Sequence, residues 1–556
     1  MKKWKKIFAI VLIIFGSVLF INPNPFGNQP TAVSDETYFL ATAVKAIQEH
    51  TLPGFVADPT GAYYGGILTY INFAVVLCIG AVLFISKMHA AAISSWIAFH
   101  WGDLLHIGRI VNGLAIYLTL LWIGWKTFLL SKEIKKPSFA WFGFFVINLL
   151  CGSSLFLPIV HTSKWWAIYL SIELLAAWLV FSQEWKREQG ADLLEKKSYV
   201  NRLILLAILS WSQVLFASLT FLWILDALLL KHISLADLLK AFKRPFVWIT
   251  LAIAVPLNYS FAVNFFAYVR NIATSDNLTG LAIASSHPWL TRILWPFKTL
   301  FFTHPLLSVM FAGAILLFFF QRKILDKNKK RLSYVVFLHA ILTYVIFNLI
   351  FGFYVDARYA LPFTFAATIF TALTFMDVVP WRKTIGAICG LLALCVLIKT
   401  AWLFWNPSSL KVLQQKISQA SISSGDLLIT SSHFQFSVLN APSIQFTEQY
   451  SGTPVFRRYA LLVNDPRYAH LAPPYTVSVG EPKNADYSKF TGVWIIDEDL
   501  KHRCGSTTNT CIEINVPQRL ASTDWVAEGS DIASLFQTNM IGRAYTLKKV
   551  NEIPKE

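Results

Sequence analysis

Two short groups of residues in this chain combine types that could do chemistry. The first is "SDETYF" at 34–39, where the carboxylates Asp35 and Glu36 stand side by side ahead of Tyr38. The second is "DARYALPF" at 356–363, where Arg358 and Tyr359 precede Pro362. A carboxylate can take a proton from a hydroxyl or amine as that group attacks. A guanidinium can hold the charge that develops on a phosphate leaving group, because its planar fork matches phosphate oxygens. Such a pair suits transfer of a group from a phosphate-linked donor, and a glycosyl group fits. Simpler roles compete. Asp35, after Ser34, could cap a helix with Glu36 in its first turn, a role compatible with catalysis. Arg358 could be an interfacial arginine that snorkels beside a belt tyrosine, Tyr359.

Three further positions are candidates for the same site. His161 in "LPIVHTSKWW" could join Asp35 or Glu36 around a divalent metal ion, although no spacing fixes such a site and no other cofactor is indicated. His287 lies with Arg292 in "SSHPWLTRILWPF", a segment that could cover the site, and Arg270 could serve the same purpose.

These residues must be held by membrane helices. The chain has 556 residues, of which 55% are hydrophobic and only 14% charged. Its mean hydropathy is +0.52. Repeated apolar runs predict a polytopic α-helical membrane protein. The net charge of +17 comes from short basic clusters between apolar runs. That is the pattern of cytoplasmic links, so nucleic acid is not an expected partner. Spans are predicted at 5–21, 107–130, 140–160, 166–182, 246–266, 296–320, 332–352, 358–378 and 384–405. Residues 66–106 are expected to make no net crossing, and 201–231 to form a tight helical pair. With the basic links 132–136, 183–197, 243–245, 321–331 and 380–383 all in the cytoplasm, about eleven crossings result. The N-terminus then lies inside. The links holding Asp35, His161, Arg270, His287 and Arg358 face outward.

Residues 1–405 thus read as a transmembrane domain and 411–556 as a soluble extracytoplasmic α/β domain. In the latter, strands are predicted at 426–430, 454–463, 475–479 and 492–499, with a helix near 531–540. Cys504 and Cys511 flank "GSTTNT" and are close enough for a disulfide outside the cytoplasm. Cys78, Cys151, Cys389 and Cys395 fall in apolar runs and are expected in the core.

The order of these elements resembles the GT-C superfamily of integral-membrane glycosyltransferases, with its protein O-mannosyltransferases and lipid A aminoarabinose transferases. A cytoplasmic start and one span lead to a loop opening with Asp-Glu. "GAYYGGILTYINF" (61–73) stands at a juxtamembrane position, and "HIGRIVNGLAIYLTLLWIGWK" (106–126) resembles the next span. "DARYALPF" resembles the late Arg-Tyr-x-x-Pro element. The resemblance covers about residues 1–405. The Lys-Pro-Pro of some members is replaced here by "DPTGAYY", and the tryptophan-rich signature of oligosaccharyltransferases is absent.

The resemblance implies a polyprenyl-phosphate sugar donor, inversion at the sugar carbon, and a lipid, glycan or protein acceptor at the outer face of the cell membrane. It makes Asp35 the base, Glu36 its neighbour, and Arg358 with Tyr359 the donor-phosphate ligands. Two alternatives stay open. One is a transporter or flippase of a lipid-linked substrate, although no repeat is found and Glu173, Asp226 and Lys399 stand near span ends or alone. The other is a non-catalytic envelope assembly protein.

Overall fold

The computed structural model describes residues 36–56, 66–153, 166–210, 216–257, 304–320, 327–345, 361–376 and 382–405 of the helical region. It also describes 419–430, 444–446, 475–479, 487–499, 522–527 and 544–550, with isolated positions between.

Helix α1 (Glu36–Gln48) buries Phe39, Leu40, Ala43 and Ala46, a stripe with helical period. Its small residues let it pack closely on α2 (Gly66–Ile85). Then come α3 (Ala90–Phe99), α4 (Trp101–Glu133), α5 (Ser138–Cys151) and α6 (Trp166–Glu188). Helices α7 (Lys196–Ser210) and α8 (Phe216–Leu225) come next, and α8 ends in a π-turn at Asp226–Leu230. Lys231, in left-handed conformation, closes that turn with its N–H on the Asp226 carbonyl. The remaining helices are α9 (Leu235–Ala241), α10 (Pro245–Leu257), α11 (Pro305–Phe320), α12 (Lys327–Tyr344), α13 (Leu361–Phe375) and α14 (Arg382–Trp405). Pro245, Pro305 and Pro362 each sit in a first helical turn, where the missing N–H costs nothing.

Helix α13 is buried on nearly every face, packed by α5, α11 and α12. Helix α4 packs on α5 and α6, and all of these share one continuous core. Among the described residues, three helices are long and apolar enough to cross a membrane: Gly66–Ile85, Asp103–Glu133 and Trp166–Glu188.

Several boundaries differ from expectation. The span expected at 140–160 stops at Cys151. There Gly152 lies against His304, whose ring nitrogens bond the Leu149 carbonyl and the Leu307 N–H. The span expected from 107 begins at Trp101, after His100 stacks on Trp96. Cys151 and Cys389 are buried as expected, but Cys78 and Cys395 are exposed, because they lie on the outward faces of α2 and α14.

The basic links gather at one end of the bundle. Lys186 meets Glu133 at 2.6 Å, joining the ends of α6 and α4. Arg244 donates to Asn201 at 2.9 Å, bringing the link before α10 to the start of α7. Arg382 lies over the Trp141 ring, 5.7 Å from its centre, at the start of α5. One cleft is shared by Lys136, Trp185, Leu332 and Met376, which brings the start of α12 there too. The 201–231 region is the expected hairpin: Tyr199 at its start donates to Asp226 at its finish, at 2.8 Å.

In the C-terminal region, six strands form one mixed sheet: β1 (Leu427–Thr430), β2 (Ile444–Phe446), β3 (Thr476–Val479), β4 (Val493–Asp499), β5 (Ser522–Ala527) and β6 (Ala544–Val550). Their order is β2-β3-β1-β4-β6-β5. The first four are parallel, with Leu427 opposite Thr476 and Val493, and β6 runs antiparallel to β4 and β5. Buried Asp426, just before β1, accepts from the Trp494 indole at 3.1 Å and the Ser423 N–H at 2.8 Å. Residues 454–463, Cys504, Cys511 and 531–540 lie outside the described residues.

Candidate active site

The end of the bundle opposite the basic links holds a second set of buried polar residues. Glu133 marks the basic end of α4, and Arg109 lies about 36 Å from it along the helix at 1.5 Å per residue. Glu36 is the first residue of α1; Asp35 and the Glu36 side chain lie outside the described residues. One turn on, Leu40 packs with Leu104 and Leu105 of α4 and Val76 of α2. The opening of α1 therefore lies by the segment of α4 that holds Arg109.

That segment carries a polar stripe. His106, Arg109 and Asn112 recur every three residues, so they share one side of α4. Arg109 and Asn112 are completely buried. Thr42 on α1 and Thr69 and Asn72 on α2 are buried polar residues on the helices that pack here. The Asn72 side-chain amide nitrogen is buried and makes no hydrogen bond. A guanidinium and an orphaned amide donor are costly among apolar helices, and groups of this kind mark functional positions. In the sequence Arg109 falls within a span motif and carries no expected role. The signal was present: an arginine inside an apolar run, at the end where this chain has few basic residues.

The helix that follows the second motif is described, but the motif itself is not. Asp356, Arg358 and Tyr359 lie outside the described residues; α13 begins directly after them. At its start Phe363 packs against Phe297, Phe311 and Tyr344, with ring centres 5.4–5.7 Å apart. The Tyr344 hydroxyl donates to the Ile293 carbonyl at 2.5 Å. The residues just after Arg292 are thus seated on the ends of α12 and α13. Phe39 of α1 and Leu361 and Phe363 of α13 belong to the same core. His161, Arg270, His287 and Arg292 lie outside the described residues, so a metal ligand set including His161 stays an expectation. Among the described residues no group of three or more His, Cys, Asp or Glu could hold a metal ion.

Below this end, Glu173 of α6 stands 3.8 Å from His339 of α12, both buried. Glu173 is therefore not alone, as its position in the sequence suggested. Nor is Asp226, which belongs to a network at the basic end. Its carboxylate lies 2.7 Å from His232 Nδ1, and Glu184 lies 2.8 Å from the other ring nitrogen. Arg187 meets Glu184 at 2.5 Å and donates to the Leu230 carbonyl at 2.6 Å. Burial pushes the His232 pKa down, but the two carboxylates outweigh it and hold it above the usual histidine value. Burial raises the Tyr199 pKa, and the Asp226 charge adds to that. The carboxylates bracket the imidazole on opposite edges: Asp226 hydrogen-bonds Nδ1, and Glu184 stands in ion-pair contact with Nε2.

Comparison with known proteins gives little. No family model matches the chain, and no curated protein does either. Among solved structures it is similar to ArnT from Cupriavidus metallidurans bound to undecaprenyl phosphate. The likeness spans 98% of this chain and 98% of that one, at 9% identity and a TM-score of 0.44.

Proposed function

We propose that this chain is a membrane glycosyltransferase that moves a sugar from a polyprenyl-phosphate donor to an acceptor at the outer face of the membrane. The observation that carries this reading is the buried Arg109 on α4, remote from the basic links, with the orphaned Asn72 amide on α2, a helix that packs on α4. A donor whose tail stays in the bilayer presents its phosphate at the interface, so cationic and amide donors belong there. In this reading Asp35 takes the proton of the acceptor hydroxyl or amine as that group attacks the sugar carbon. The new bond forms with inversion, and the bond to phosphate breaks. The polyprenyl phosphate leaves against Arg358, with Tyr359 beside it. Glu36 helps to set the carboxylate, and the segment holding Arg270 and His287 closes over the donor. The C-terminal sheet belongs to a second, extracytoplasmic domain.

The test is incubation of the purified protein with a panel of radiolabelled polyprenyl-phosphate sugars. Transfer or hydrolysis of one donor is expected, and a folded Asp35→Asn variant should lose it by about 10²-fold or more. Silence with every donor, or wild-type turnover by Asp35→Asn, overturns the reading. Transport of a lipid-linked substrate gains one observation, the intramembrane Glu173–His339 pair. It predicts that Glu173→Gln blocks movement of the lipid across vesicles in the absence of any acceptor.

A further inference from the structure

At the basic end a small open cleft, of about 20 Å³, lies between α5, α6, α12 and α13. Its walls are apolar, formed by Phe139, Trp185, Leu332 and Met376, while Lys136, Ser138 and Ser333 supply donors. Lys136 makes no ion pair among the described residues. Ser138 is the first residue of α5, whose N-terminal N–H groups favour an anion. Arg382 flanks the same cleft. It donates to the carbonyl of Met376, lies over Trp141 one turn into α5, and its Nε is buried without a partner. Glu188 also lines the cleft but has an interaction of its own.

We infer that this cleft binds the phosphate of an anionic phospholipid from the leaflet at the basic end of the bundle. Three features converge. Lys136 and Arg382 form no ion pair among the described residues, hydroxyls and a helix N-terminus lie beside them, and apolar walls border an apolar bundle; the Glu188 carboxylate on the same cleft is engaged in an interaction of its own. Free phosphate offers the same anion, but the apolar walls favour the lipid. A zwitterionic choline lipid brings a cation that Lys136 and Arg382 would repel.

The full chain, purified in detergent, is heated with added phosphatidylglycerol, phosphatidylcholine or inorganic phosphate, and bound lipid is counted by native mass spectrometry. Phosphatidylglycerol should raise the unfolding midpoint by several degrees and stay bound, and the other two should not. Lys136→Gln and Arg382→Gln should each lose most of that rise, measured against their own lipid-free midpoints. Lys240→Gln, which removes an exposed charge on α9, should keep it. Equal stabilisation by phosphatidylcholine or by inorganic phosphate overturns the inference. So does full retention of the rise in Lys136→Gln and Arg382→Gln, or an equal loss in Lys240→Gln.

Discussion

The two ends of the bundle both bury polar groups, but they treat them differently. At the basic end Arg187, Glu184, His232 and Asp226 form a chain of contacts at 2.5–2.8 Å, and Tyr199 completes it. With His232 protonated, two positive charges meet two negative ones. At the other end Arg109 is as deeply buried, and the Asn72 amide nitrogen on α2 is left unsatisfied; at the basic end Arg382 Nε, outside this network, is unsatisfied too. A closed network uses its polar capacity on itself and holds helices together. A site with spare donors has capacity left for a ligand.

The sharpest way to break this comparison is to change both ends and read both activity and stability. Arg109→Met should lower sugar transfer by about 10²- to 10³-fold, the scale of losing one preorganised electrostatic donor. A variant that folds and transfers at the wild-type rate would make Arg109 structural and erase the difference. At the other end Asp226→Ala removes the partner of both Tyr199 and His232 in a site with no exposure. It should cost about 3–5 kcal/mol of stability, read by thermal or denaturant unfolding. Turnover per folded molecule should stay the same.

A smaller effect separates packing from charge. Gly66 lies so close to α10 that an added Cβ would stand 2.1 Å from the Leu257 carbonyl oxygen, a backbone atom that cannot swing away. Gly66→Ala should cost about 1–3 kcal/mol as the start of α2 is pushed off. The Tyr70 hydroxyl, which donates to the Pro256 carbonyl at 2.8 Å, should lose that bond. Since α2 carries Asn72, transfer should fall with it. Unchanged turnover in Gly66→Ala would mean that the α2 position does not matter to the site.

Much of the helical framework was legible in the sequence, because long apolar runs bounded by basic links have few other solutions. The span expected at 384–405 matches α14 within two residues. The hairpin in 201–231 was readable from charge, since both its flanks are basic. Strands at 426–430, 475–479 and 492–499 were readable from β-branched and apolar runs between turns. The strands Ser522–Ala527 and Ala544–Val550 were missed; "STDWVA" and "AYTLKKV" are polar enough to read as loop. The network around His232 was not legible at all. Its members lie at 184, 187, 199, 226 and 232, and only the hairpin and the π-turn bring them together. For the site, the motifs at 34–39 and 356–363 were visible as residue types. Arg109 needed its burial to be known before it could be weighed.

A surface pair gives the reference for weak electrostatics. Lys186 and Glu133 are 2.6 Å apart, but their side chains are 26% and 47% exposed. Water already solvates both, so Lys186→Met should change stability by no more than about 1 kcal/mol. A loss as large as that from Asp226→Ala would mean that the whole basic end, and not the buried network, behaves as one closed unit.

The subtlest prediction is a pH dependence, and it distinguishes the network from its neighbour on α9. His232 faces the carboxylates of Glu184 and Asp226, with Arg187 and Tyr199 bound to those same carboxylates. Its folded pKa is raised, despite burial, by those two partners. Protonation therefore favours the folded state. The stabilisation is complete below the unfolded histidine value of about 6.5 and is lost as pH rises through the higher folded value. Asp237 behaves in the opposite sense. Lys196 and then Ser234 hold its carboxyl down to about 2, so its contribution is present above the usual carboxylate range and fades as pH falls toward that value. The two windows do not overlap. Unfolding midpoints measured from pH 6 to pH 9 should fall with rising pH in the wild type. In His232→Gln, which keeps a side chain of similar reach but cannot take up a proton, that fall should flatten. If the wild-type and His232→Gln profiles stay parallel across this range, His232 is not the proton-binding member of the network, and the closed charge balance assigned to the basic end is wrong.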